Sequence, residues 1–132
     1  MATRERPLSP HLQIYRRQVQ MMTSIIHRAT GIVLAVGGLV VVWGLAALAG
    51  GPEAWARFTA FAGSPLGWIV WIGGVWSLSY HLINGVRHLL QDAGMGFAVP
   101  DFVRSSWISV AGSVLLALLV LGYAASRLGA AA

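Results

Sequence analysis

Three stretches of this chain carry no Asp, Glu, Lys or Arg: residues 29–52, 58–86 and 105–126. Each exceeds the roughly 20 residues that an α-helix needs to cross the hydrocarbon core of a bilayer. In lipid a segment must satisfy its own backbone N–H and C=O groups, and a single apolar segment can do so only as a helix. The expected fold is all-α and integral to the membrane, with three transmembrane helices at approximately 22–50, 64–91 and 104–127. A cytoplasmic arm at 1–21 completes a single membrane-anchor domain. Composition agrees: 57% of residues are hydrophobic and 10% charged, too apolar a mixture for a soluble domain. Gly50, Gly51 and Pro52 mark a turn, "GSPLG" opens the second helix, and "DAGMGFAVPD" reads as a loop before a third helix opened by Ser105 or Ser106. Trp43, Trp55, Trp107 and Tyr123 fall near the expected interfaces, as aromatic belts do.

All nine basic residues are arginine, and they gather at the ends of the apolar runs rather than on one polar surface. That distribution speaks against nucleic-acid binding and for setting membrane orientation. Arg4, Arg6, Arg16, Arg17, Arg28, Arg87 and Arg104 fall on one side of a three-span chain, and Arg57 and Arg127 on the other. The N-terminus is therefore expected in the cytoplasm and the C-terminus in the periplasm of a bacterial inner membrane. The first twenty residues are arginine-rich, lack an early apolar core and contain Pro7 and Pro10, so they read as an extended arm and not a signal peptide. The chain has no cysteine, which excludes disulfides, thiolate zinc and iron–sulfur ligation by its own residues. Four carboxylates in all leave a two-carboxylate hydrolytic site poorly supplied.

Against this background the stretch "HLINGVRHLL" at 81–90 is anomalous, because ionisable groups within a membrane helix are costly and mark function by default. At about 100° per residue, His81, Gly85, His88 and Asp92 share one stripe of the second span. His81 lies about 9 Å deeper than Arg87 at 1.5 Å per residue. A glycine beside a deep histidine leaves room for a flat porphyrin on an axial imidazole. Arg87 and His88 lie nearer the boundary, where they can meet haem propionates or lipid phosphates. Plainer readings exist: a histidine that bonds a neighbouring helix, a packing glycine, a polar cap at the interface. On the first span Ser24, His27, Arg28 and Gly31 share one broad face at the same end. A hydroxyl and a guanidinium can both donate to a quinone carbonyl. Taken singly, Ser24 could simply cap the helix and Arg28 could snorkel to the head groups. Bis-histidine haem needs two axial ligands and the chain offers one deep histidine, with His27 the only internal alternative. Three spans also close poorly on themselves. A partner membrane chain is expected to supply the second ligand and complete a heteromeric bundle.

The motifs "RPLSPHLQIYR", "SIIHRATG" and "HLINGVRHLLQDAG" closely resemble the cytochrome b membrane-anchor subunits of succinate dehydrogenase, complex II. The likeness covers the arm, the first span and the end of the second. It implies that His81 is the axial ligand of haem b, that Ser24 and Arg28 border the ubiquinone pocket, and that His27, Arg28 and His88 lie near the haem propionates. Asp92 is expected to support the cytoplasmic end of the helix or the iron–sulfur contact. The implied partners are a second small anchor subunit carrying the other haem ligand, an iron–sulfur subunit, a flavoprotein and membrane lipid. Electrons would pass from the iron–sulfur subunit to ubiquinone, with no succinate chemistry and no catalytic residue in this chain. Gln91 departs from the pattern, which usually has an aromatic residue or methionine there, and could alter the iron–sulfur contact. A haem-free quinone anchor, a fumarate reductase anchor and a non-enzymatic membrane protein remain the alternatives.

Overall fold

The computed structural model describes residues 16–130, and every described element is helical. The helices are α1 (Val19–Ala49), α2 (Pro52–Ala62), α3 (Pro65–Asp92) and α4 (Val99–Ala130). Helices α1, α3 and α4 are each long and apolar enough to cross a membrane. At 31 residues α1 is about 46 Å long, well beyond a ~30 Å hydrocarbon core, so its ends reach the head-group zones. Helix α3 is central: it packs along α4 on one side and α1 on the other, and α1 also touches α4.

The pattern of burial is inverted relative to a soluble bundle. Thr23, Thr30, Ser77, Ser79, Asn84, Arg87, Ser106, Ser109 and Ser113 are buried, whereas Ile32, Leu39, Ile69 and Val99 lie on the outside. Lipid tails are as apolar as leucine, so small polar residues collect where helices approach each other. Four of the serine hydroxyls bond within their own helices: Ser79 donates to the Val75 carbonyl, Ser106 to Phe102, Ser109 to Ser105 and Ser113 to Val110.

The structure adds a short helix that the sequence reading leaves unassigned, and it starts α4 earlier than expected. The charge-free run 58–86 is shared between that short helix and α3. Gly51, at φ 96°, and Pro52 at the first helical position start the short helix α2, which ends at Gly63. Ser64 then caps α3 by accepting from the Gly67 N–H at 3.1 Å. Helix α4 starts at Val99, earlier than the expected 104, with Pro100 in its first turn and Asp101 facing the positive end of the helix dipole. Ser105 and Ser106 therefore lie inside α4, where both donate to the Phe102 carbonyl. Most of the proposed arm lies outside the described residues, and Val19 to Met21 already belong to α1.

Candidate functional site: an imidazole cluster between two helices

Three of the four histidines meet at one point of the α1–α3 seam. The His27 and His81 rings stack with centroids 3.9 Å apart and planes 12° from parallel. His88 meets His27 edge-on at 5.0 Å. The helix spacing explains this, since His81 and His88 are two turns apart on one stripe of α3 and the His27 ring fits beside both. A glycine on each helix faces the imidazole of the other. A Cβ added to Gly31 would lie 3.2 Å from His81 Cε1, and one added to Gly85 would lie 3.9 Å from His27 Cε1. Gly85 was expected to admit a porphyrin. In the structure it faces an imidazole instead, because α1 packs against that stripe. Nearby, Tyr80 donates its hydroxyl to the Thr23 carbonyl at 3.0 Å and ties the two helices together within the buried seam.

The hydrogen bonds assign different capacities to the three rings. Thr30 is buried, and its hydroxyl lies 2.9 Å from the His27 carbonyl and 3.3 Å from His81 Nδ1. A carbonyl can only accept, so the single hydroxyl proton of Thr30 goes there. The Thr30 oxygen must then accept from His81 Nδ1–H. This leaves the lone pair of His81 on Nε2, the tautomer in which an imidazole ligates a metal. His81 Nε2 makes no hydrogen bond among the described residues. His88 differs. Arg87 Nη1 donates to Asn84 Oδ1 at 3.3 Å, and since a guanidinium only donates, the amide orientation of Asn84 is fixed. Asn84 Nδ2 therefore donates to His88 Nε2 at 3.1 Å and engages its lone pair. His27 Nδ1 is buried without a partner.

The remaining sequence candidates separate into two groups. Ser24 and Arg28 come together on the flank of α1, with Arg28 Nη2 3.5 Å from Ser24 Oγ, a long contact; Ser24 is part-buried and Arg28 exposed. Along α1 they flank His27, Ser24 three residues before it and Arg28 one residue after it. Arg87 lies near the end of α3, and it is 7% exposed and points into the α3–α4 seam. Its Nε donates to Ser105 Oγ at 3.0 Å and its guanidinium lies 4.6 Å from the centre of the Phe102 ring. Six residues along a helix is a turn of about 240°, which carries Arg87 off the His81 stripe and onto the face that meets α4. Gln91 is part-buried, and Asp92, the last residue of α3, is exposed.

Sequence reasoning missed the roles of Thr30 and Asn84. Thr30 stands three residues after His27, so a threonine on the histidine face was the available signal. Asn84 stands four residues before His88, within reach of its ring. Among the described residues no three His, Asp or Glu side chains form a metal-chelating set. The donor set suits one axial imidazole, offered by His81.

Residues 2–120 match the family described as the succinate dehydrogenase/fumarate reductase transmembrane subunit. The chain is 45% identical over 116 residues to the succinate dehydrogenase cytochrome b556 subunit of Paracoccus denitrificans, spanning 88% of this chain and 89% of that one. It is 40% identical over 121 residues to the mitochondrial succinate dehydrogenase cytochrome b560 subunit of Mus musculus, spanning 89% and 68%. The cytochrome b556 subunit of Rickettsia felis is 34% identical over 116 residues, spanning 88% and 90%. The chain belongs to the succinate dehydrogenase/fumarate reductase transmembrane subunit family, as a cytochrome b membrane-anchor subunit that is part of an oxidoreductase without being its catalytic chain.

Proposed function

We propose that this chain binds haem b through His81 Nε2 and shares in reducing ubiquinone at a site bordered by Ser24 and Arg28. The observation that carries the reading is the hydrogen bond between Thr30 and His81 Nδ1, which favours the ligating tautomer of a histidine whose Nε2 has no partner among the described residues. The relatives named for a cytochrome b support the cofactor. When bound, the haem supplies a one-electron centre beside the quinone site, and the protein's part is to bind, orient and tune.

The residues of this chain divide that work. Thr30 holds the His81 ring by its inner nitrogen, and His27 packs flat against its face. His27 stacks flat against His81, with ring centroids 3.9 Å apart and nearly parallel planes, so these two rings would not both hold the haem iron. Asn84 already engages His88 Nε2. This supports a second ligand from another membrane subunit. His27, Arg28 and His88 then lie around the cluster as candidates to face the propionates. Arg28 and Ser24 carry donors that can hold a quinone carbonyl and stabilise negative charge as electrons arrive from an iron–sulfur subunit. In this reading the N-terminus and the quinone site lie on the cytoplasmic side of a bacterial inner membrane, the side the arginine distribution favours. A flavoprotein completes the complex.

Ser24→Ala or Arg28→Leu is expected to impair electron transfer from succinate to ubiquinone in the assembled complex. Succinate oxidation by a soluble artificial acceptor should persist. Equal loss of both activities would mean that these residues support assembly rather than quinone binding.

A further inference from the structure

The α3–α4 seam holds a second polar site, separate from the histidines. A groove of about 350 Å³ opens between these helices, lined by Ile83, Val86, Leu90 and Ile108 along its walls and by Arg87 and Gln91. Arg87 is 7% exposed, and no carboxylate among the described residues pairs with it; the one ion pair there is Glu53–Arg57 on α2. Ser105, Asn84 and the Phe102 ring engage the guanidinium, all of them neutral. Two buried donors in the groove-lining residues have no acceptor among the described residues: Arg87 Nη2 and Gln91 Nε2.

A buried cation without a counter-ion is expensive, and an orphan donor beside it adds to the cost. Both deficits are met by one group that is negatively charged and offers several acceptor oxygens. A neutral carbonyl would leave the charge uncompensated. Arg87 stands five residues before the end of α3, about 8 Å along the axis, at the depth where hydrocarbon gives way to head groups. The groove walls are apolar, and Val86, Leu90 and Ile108 stay about half exposed along its mouth. We propose that this groove binds an anionic phospholipid, with the phosphate on Arg87 Nη2 and Gln91 Nε2 and an acyl chain along Val86, Leu90 and Ile108. A free phosphate would leave those apolar walls unused. Gln91 then acts as the second headgroup donor.

The test uses the intact complex, stripped of lipid in detergent and exposed to equal amounts of phosphatidylglycerol and phosphatidylcholine with identical chains. Bound lipid is counted by native mass spectrometry. The wild-type complex should retain phosphatidylglycerol several-fold over phosphatidylcholine, and excess inorganic phosphate should not displace it. Arg87→Gln should lower the retained phosphatidylglycerol by about one molecule per complex. Gln91→Leu should weaken retention while leaving the b-type absorbance unchanged. Equal retention of the two lipids by the wild type would overturn the proposal, and so would retention that Gln91→Leu does not alter. A carboxylate of a partner subunit seated on Arg87 in a structure of the complex would also overturn it. If Arg87→Gln does not assemble, the wild-type preference and the Gln91→Leu complex still decide.

Discussion

Helix α3 presents two polar seams, and they are built on opposite principles. Toward α1 it offers imidazoles, with a glycine on each helix to let the rings meet and a threonine to hold one of them. Toward α4 it offers a guanidinium, held by an amide, a hydroxyl and an aromatic face. The first seam leaves a lone pair free at His81 Nε2; the second leaves donors free at Arg87 and Gln91. One seam is short of an electron-pair acceptor and the other of an anion. Both needs arise from burying polar groups in a helix that lipid would otherwise favour as apolar. The difference leaves one helix with two unmet needs of opposite character, about 120° apart around its axis.

Asn84 is the only described residue that hydrogen-bonds into both seams, and removing its amide is the largest perturbation expected short of losing His81. Asn84→Leu strips Arg87 Nη1 and His88 Nε2 of their shared partner. Each buried polar group left unpaired costs about 1–3 kcal/mol. The thermal midpoint of the assembled complex should fall, and the haem spectrum and lipid retention should change together. If only one of them changes, the seams are independent and the bridge through Asn84 has no functional weight.

A smaller and more selective effect is expected at Thr30. Thr30→Val keeps the shape but removes the acceptor for His81 Nδ1–H. Loss of such a supporting bond typically lowers metal affinity by about 10–100-fold. The reduction midpoint of the b-type centre should shift and the haem-to-flavin ratio should fall, whereas Thr30→Ser should restore both. A midpoint unchanged in Thr30→Val would remove the threonine from the account and leave it a packing residue.

The sequence made the ends of this comparison visible but not the join. Apolar runs free of charge announced three long helices, because nothing else can hide a backbone in lipid. The spacing of His81, Gly85 and His88 was readable because helical periodicity is local. The partner of Gly85 was not, since it is His27, more than fifty residues earlier in the chain. Depth along the helix was legible for Arg87, but the face it uses depends on where α4 packs, so its burial in the seam was not. Helix α2 was left unassigned because its 11 residues, Glu53 and Arg57 among them, are too few and too polar to announce a span, and the second span was read as opening after it at "GSPLG". Thr30 sat within a quoted motif, yet its bond to His81 exists only once α1 and α3 meet.

The central claim is that His81 alone, among the three clustered histidines, is this chain's haem ligand. It is tested most directly by reduced-minus-oxidised difference spectra of the intact complex carrying His81→Ala or His27→Ala. The account predicts loss of the b-type band in His81→Ala, and a retained band with at most a shifted midpoint in His27→Ala. A normal band in the His81→Ala complex, or its complete loss in His27→Ala with His81 intact, would contradict it.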